Sequence, residues 1–479
     1  MTAFDAVIVG AGPNGLTAGA RLATRGWSVC VLEAADTVGG GCRTTELDVP
    51  GVRHDICAAA HPLGIASPAF AALQLERYGV TWRHGETVAA HPLDHGDAAL
   101  LYRDLATTTA QFDNDRWATL FGPLLERWPK VVTTLLSPLL QFPRHPVTLA
   151  RLAPGALAAK RVGRWLKDER AAALFAGMAG HAIQPLDRPL TTGVGLFLGA
   201  AGHRVGWPVA EGGSQTIINA LAQVIIEHGG VIRTGHPVRS RLDLPTARAT
   251  LLDTNPGQFS TITGYSGRAY RTFKHGPGSC KVDYVLSAPM PWTNPSVGTA
   301  VTVHLGGTMA EILTAQRQVA AGHEAERPYV LVTQPAVADS SRRTSAGEPL
   351  WAYCHVPNGS AVDASATIET QFDRFAPGWR DLVRAKKVRT ASGLATYNQN
   401  YVGGDIAGGS LAGLRSVARP SITLSPYRTP VEGFWLCSAS TPPGAGVHGM
   451  AGWHAVTDIL AIARSNGPGS FRGVRSAAR

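Results

Sequence analysis

Gly10-Ala11-Gly12-Pro13-Asn14-Gly15 is a GxGxxG run placed where such a run can do chemistry. It ends the apolar, β-branched stretch Phe4–Gly10, which predicts a buried strand of the parallel-sheet type. A helical pattern follows, with Leu16, Ala20 and Ala23 on one face. Gly26 then breaks the helix, and Trp27–Ala34 predicts a second strand. The whole is a βαβ unit within roughly 30 residues. Gly10 makes the tight turn, Gly12 lets a pyrophosphate approach the backbone, and Gly15 lets helix and strand pack closely. The helix N-terminus, opened by Pro13 and Asn14, offers free N–H groups and a positive dipole end to phosphates. Glu33, followed by Ala34, closes the second strand, where its carboxylate can accept hydrogen bonds from ribose hydroxyls and repel a 2′-phosphate. These residues point to a dinucleotide site. The bland alternative is a glycine-rich turn with no ligand.

Gly39, Gly40 and Gly41 come next. This loop resembles the glycine-glycine motif shared by flavin amine oxidases, protoporphyrinogen oxidases and phytoene desaturases. In those proteins it brings backbone close to the diphosphate of FAD. Many members carry arginine directly after the glycine pair; here Gly41 takes that place and Arg43 lies two residues on. At the other end of the chain, Phe434–Cys437 predicts a strand that leads through a Pro/Gly loop to Gly446-Val447-His448-Gly449, the opening of a helix. Backbone amides there can bond a flavin ring or its ribityl chain, and a helix N-terminus near the pyrimidine edge stabilises negative charge on a reduced flavin. The place matches the C-terminal flavin motif of the same superfamily, with Ser438-Ala439 where many members have Gly-Asp.

Further segments extend the resemblance over most of the chain. They include "WPVAEGGSQTIINAL", "KHGPGSCKVDYVLSAPMPW" and "STPPGAGVHGMAGWHA". The chain is similar to phytoene desaturase-related FAD oxidoreductases, in the subgroup labelled pyridine nucleotide-disulphide oxidoreductase domain-containing proteins. The resemblance implies FAD as cofactor. It implies contacts from Gly10, Gly12, Pro13, Asn14, Gly15, Glu33, Ala34, Gly40, Gly41, Arg43, Val238, Ser438, Gly446, Val447 and His448. No CxxC is present among Cys30, Cys42, Cys57, Cys280, Cys354 and Cys437, so neither a redox dithiol nor a zinc site is expected. "GGDIAGG" (403–409) lacks a preceding apolar strand, which argues against a second nucleotide domain.

Flavin carries the hard chemistry, and the protein orients substrate, excludes water and moves protons. Two residues are candidates for the last task. Lys281 lies on a predicted strand in "SCKVDYVL", with Trp292 following. In flavin amine oxidases a similarly placed lysine reaches flavin N5 through a water. The alternative is a lysine at a strand edge bonded to solvent or a carboxylate. His61, in "AAAHPLG", is the second candidate, able to act near neutral pH. His304 reads as a structural strand histidine, and Tyr397 and Asn398 as residues that line a cavity.

The elements that must position these residues predict an α/β fold: a discontinuous Rossmann-type FAD-binding domain with an inserted α+β substrate domain. The FAD domain is expected at 1–70, 206–290 and 426–465, the substrate or cap domain at 71–205 and 291–425, and a flexible basic tail at 466–479. Residues 71–205 read as mostly helical, and Phe372–Val388 as a helix interrupted at Pro377. With 479 residues the chain exceeds one core, and 44% hydrophobic against 16% charged residues is a globular composition. The net charge of +10 brings no nucleic-acid motif with it. No signal peptide and no spanning segment are read, so a cytoplasmic protein with six reduced thiols is expected. Within Val131–Phe175, apolar stretches alternate with Arg144, Arg151, Lys160, Arg161, Arg164 and Lys167. That pattern fits peripheral contact with an anionic membrane, or a cavity cap with a solvated basic face.

The leading functional expectation is therefore an FAD-dependent oxidoreductase acting on C–C bonds of a small apolar isoprenoid or lipid, by desaturation, saturation or isomerisation. An amine oxidase, with Trp453 and Tyr397 contributing an aromatic cage, is the second reading. A flavin-containing interaction protein without turnover is the third. Substrate identity, electron acceptor and oligomeric state are not encoded in any motif.

Overall fold

A computed structural model describes residues 3–140 and 145–465. The expected tail and Arg144 lie outside the described residues. Five parallel strands form the first sheet, in the order Phe434–Leu436, Ala247–Leu252, Phe4–Val9, Val29–Leu32, Val231–Arg233. Phe4–Val9 is central, with Ala6 opposite both Val29 and Ala249. Its apolar run is explained by burial on both faces: Val7 and Ile8 are fully enclosed. The first helix, Pro13–Ala23, packs against the Gln215–Glu227 helix and against the last helix, Met450–Ser465. The two ends of the chain thus meet inside one Rossmann-like unit.

The second sheet has seven strands of mixed direction. Their order is Val383–Arg389, Gly278–Leu286, Glu348–Val356, Val330–Thr333, Ala300–Leu305, Thr87–Pro92, Ala98–Leu101. One face packs on Phe372, Phe375 and Trp379. The other carries Thr302, Leu331, Thr333, Trp351 and Tyr353 and forms a cavity wall. Opposite that wall lies a helical cap whose core holds Trp117, Phe121, Phe175 and Trp128. The cap closes tightly because the Thr191–Val205 helix presents glycines to aromatic rings. A Cβ at Gly199 would come within 2.5 Å of Phe121, and one at Gly195 within 2.9 Å of Phe175.

Two expectations are corrected. Gly278–Leu286, placed by sequence in the FAD domain, belongs to the seven-stranded sheet of the other domain, so residues up to 290 do not form one piece of the nucleotide unit. The helix expected through Phe372–Val388 ends at Phe375. After a single 3-10 turn the chain becomes the edge strand Val383–Arg389. Pro377 ends the helix, and charged Arg384, Lys386 and Lys387 suit an unpaired edge. Residues 71–205 are mostly helical and also contribute Thr87–Pro92 and Ala98–Leu101 to the sheet.

Candidate functional site

Gly10 has φ +98, which only glycine adopts without strain, and a Cβ at Gly15 would sit 2.2 Å from the Gly10 carbonyl oxygen. Helix and turn therefore close on each other at backbone contact. The helix begins at Pro13 behind Gly12, which provides no side-chain cap; Pro13 has no N–H and the Gly15 N–H is taken by Asp253, so the Asn14 N–H is the one the helix start leaves to an anion. Gly40 packs over this turn, where a Cβ would lie 3.2 Å from the Gly12 Cα.

A cavity of about 1350 Å³ starts at these loops. Of the residues implicated in cofactor contact, Gly10, Gly12, Pro13, Asn14, Glu33, Ala34, Gly40, Gly41, Arg43, Val238, Ser438, Gly446, Val447 and His448 all line it. Gly15 does not; it acts from behind, through packing. The cavity exceeds the usual ligand pocket of roughly 300–1,000 Å³ because it continues from the glycine loops to the helical cap. Its far part is lined by apolar groups such as Leu136, Leu152, Val194, Phe197 and Trp207.

The geometry gives several of these residues specific tasks. Glu33 accepts from Ala11 N at 2.8 Å and Ala35 N at 3.0 Å, which fixes its carboxylate at the end of the second strand. Arg43 lies 3.5 Å from Glu33 and donates to the Thr37 carbonyl at 2.6 Å, while its buried Nε has no partner among the described residues. Tyr397 donates to the Gly40 carbonyl at 2.9 Å, bracing the glycine loop. His448 Nδ1 accepts from Met450 N at 3.0 Å, and its carbonyl accepts from Ser67 at 2.6 Å, so the turn into the last helix is held on both sides. Ser438 lines the cavity, and the Ser440 hydroxyl is committed to the Gly408 carbonyl at 2.7 Å.

The two expected catalytic residues fare differently from the cofactor set. Lys281 does not line the cavity. Its ammonium is buried and bonded to Asp283, 5.3 Å from the Trp351 ring. Asp283 also takes Arg389 at 2.7 Å and faces His54 at 3.5 Å. Local alternation puts Lys281 and Asp283 on one face of their strand, where they pair with each other. His61 does line the cavity, but burial pushes its pKa down to about 4. It is a neutral ring at physiological pH and not the near-neutral acid–base expected. The Ser214 hydroxyl donates to the Ala58 carbonyl at 2.5 Å, so His61 Nε2, 2.8 Å from Ser214, must be the donor in that contact. Its Nδ1 is then a bare acceptor. The expected aromatic cage is not assembled: Tyr397 lines the cavity with Asn398, whereas Trp453 lies under the Arg21 guanidinium, 3.9 Å away, and does not line it. "GGDIAGG" is a loop tied by buried Asp405, which accepts from Gly276 and Gly409 N–H groups at 2.8 and 2.9 Å.

Sequence reasoning missed Asp253. It follows the Ala247–Leu252 strand, lines the cavity, and accepts from Gly15 N at 2.8 Å. A Cβ at Gly12 would lie 2.7 Å from its Oδ2, so the carboxyl sits directly under the phosphate turn. Burial and the nearby Glu33 charge push its pKa up to about 7, against the Gly15 N–H, which lowers it. As pH rises through this value the carboxyl ionises beside the phosphate site. Affinity for a diphosphate-bearing nucleotide at this turn is expected to fall about tenfold between roughly pH 6 and pH 8. Asp253→Asn, which keeps an acceptor for Gly15, is expected to remove that dependence; fluorescence titration with FAD at each pH checks both. The stability sign is the same. A carboxyl raised from 3.8 to about 7 makes its stabilising contribution at low pH and loses it as pH climbs through the folded value.

Comparison with known proteins agrees with this architecture. Residues 8–74 match the NAD(P)-binding Rossmann-like domain family. Pyridine nucleotide-disulfide oxidoreductase domain-containing protein 2 of Rattus norvegicus is 24% identical, over 94% of this chain and 92% of that protein. A limonene dehydrogenase polypeptide of Castellaniella defragrans is 35% identical over 101 residues, 21% of this chain and 18% of that protein. Putrescine oxidase bound to putrescine superposes with a TM-score of 0.59 at 18% identity, over 96% of this chain and 99% of the other. The chain thus has a Rossmann-like nucleotide domain and shares its α/β fold with putrescine oxidase, and the relatives it resembles in sequence carry oxidoreductase or dehydrogenase names. No helix among the described residues is long and apolar enough to cross a membrane.

Proposed function

We propose that the protein is an FAD-dependent oxidoreductase that acts on C–C bonds of an apolar isoprenoid or lipid. One observation carries the reading: a single cavity joins the glycine loops of the nucleotide unit to an apolar chamber under the cap. Gly10–Asn14 and Gly40 would hold the diphosphate, Glu33 the ribose, Val238 the adenine, and Ser438 with Gly446–His448 the flavin end. The fit rests on backbone that side chains would block, and on the buried Arg43 Nε and Asn14 Oδ1, which lack protein partners at the same wall. Flavin bound there supplies hydride transfer at N5. The chain's own part is to order the substrate and keep water out, with the neutral His61 ring buried in the wall and bonded to Ser214.

The similarity to putrescine oxidase raises an amine substrate as the other reading. The carboxylates on the cavity wall are Glu33 and Asp253, both at the nucleotide end. Among the described residues the apolar chamber therefore has no carboxylate to balance a substrate ammonium, whose burial without a partner is costly. An apolar substrate fits better. Anaerobic reduction of the FAD-loaded protein with fractionated cellular lipids should bleach the flavin with one fraction. Peroxide release with amines, and no bleaching with any lipid, would reverse the choice.

Exposed Val147, Leu157 and Trp165 share the cap segment with Arg151, Arg161 and Arg164, which supports peripheral contact with anionic lipid. Flotation with phosphatidylserine vesicles at low salt is expected and should weaken as salt rises. No flotation would dismiss the membrane contact.

A further inference from the structure

His181 lines the cavity at the end of the Glu169–Gly180 helix, in contact with Trp207 (ring centroids 5.7 Å apart). Its Nε2 lies 3.0 Å from the Nε2 of His304, which is wholly buried on the Ala300–Leu305 strand. Among the described residues no group bonds His181 Nδ1, and its half-buried ring owes its exposure to the cavity.

The two rings constrain each other. Burial holds both imidazoles neutral at physiological pH, pushing His181 down to about 3 and His304 well below the usual range. Each ring then carries one proton, and one proton lies between the two Nε2 atoms. The Nδ1 edge of His304 faces Gly177, where a Cβ would come within 2.7 Å, and it has no partner among the described residues. If that buried nitrogen carried the proton, an N–H donor would be orphaned. Orphaned buried N–H groups are rarer than under-used acceptors. So His304 donates through Nε2 to His181, and His181 carries its own proton on Nδ1, at the cavity wall. Beside it stand apolar Ile183 and Trp207, and Leu331 lies opposite His304 in the sheet.

We infer that His181, oriented by His304, is a fixed N–H donor that anchors an oxygen acceptor on an otherwise apolar substrate, which makes the preferred substrate a ketone- or hydroxyl-bearing lipid and not a plain hydrocarbon. This deepens the reading of the chamber as a substrate site. A hydrogen bond of this kind in an apolar setting is worth about a tenfold difference in affinity.

Calorimetric titration with undecanone, undecanol and undecane tests it, using protein both loaded with and stripped of FAD. Wild type is expected to bind the ketone and the alcohol about tenfold more tightly than the alkane. His181→Phe keeps the aromatic contact with Trp207 and should level the three. His181→Asn, whose amide nitrogen falls near the place of Nδ1, should retain part of the preference. Equal affinity in wild type, or a preference untouched by His181→Phe, would overturn the inference. The wild-type comparison needs no variant, so it decides even if His181→Phe does not fold. A ketone preference in protein that takes up no FAD would uphold the anchor while defeating the flavin reading.

Discussion

Gly452→Ala is expected to yield a protein without bound flavin. Gly452 lies in the last helix, where it rests on the first: a Cβ there would come 2.0 Å from the Asn14 carbonyl oxygen and 3.1 Å from the Ala18 nitrogen. Neither contact is with a flexible side-chain end, so one helix must move. The last helix carries Gly446–His448 at its entrance, and the first carries Gly12–Asn14 at its own. A shift between them separates the two grips on the cofactor while leaving each intact. Overpacking of this kind costs roughly 1–3 kcal/mol or more of stability. The loss of FAD affinity should be larger, about 100-fold, because geometry and stability both suffer. Gly122→Ala is the control. Gly122 is helical and a Cβ there meets nothing within 4 Å, so bound flavin should be retained and the melting temperature should hold or rise slightly.

Asp283→Ala is expected to destabilise the fold by about 3–5 kcal/mol, as when one partner of a buried ion pair is removed. Burial pushes the Asp283 carboxyl up, but Lys281 and His54 outweigh it and hold the pKa below the usual range. The variant would leave the buried Lys281 ammonium without its anion and Arg389 with one partner fewer. Replacing both partners, Lys281→Met with Asp283→Leu, should recover part of the loss, since it removes the Lys281 and Asp283 charges together while Arg389 still lacks its Asp283 partner. Thermal and urea unfolding measure this. The experiment also addresses the lysine's task. With its ammonium held by Asp283 and away from the cavity, Lys281→Met should lower stability without abolishing reduction of the flavin by substrate.

The nucleotide site was legible because its chemistry is carried by backbone. Gly10, Gly12, Gly15 and Gly40 are required wherever a turn must meet a phosphate or another chain segment, so residue type and spacing record the contact directly. The apolar strands of the parallel sheet were legible for a similar reason, being buried on both faces. The substrate side was not. Lys281 stands on a strand whose nine residues are all buried, so neither alternation nor polarity shows which face meets the cavity. Asp253 and His181 meet the cavity through contacts between segments far apart in the chain, Asp253 with Gly15 and His181 with His304. No local pattern marks such pairs. The Val383–Arg389 strand was hidden by its charges, which suit an edge as well as a solvated helix.

The central claim is that both ends of the chain enclose one flavin. Its most direct test is the visible spectrum of the protein after purification and after incubation with excess FAD, followed by gel filtration and quantitation of flavin released on denaturation. The expected result is a yellow protein holding one FAD per chain. A colourless protein that emerges free of FAD after incubation would contradict it.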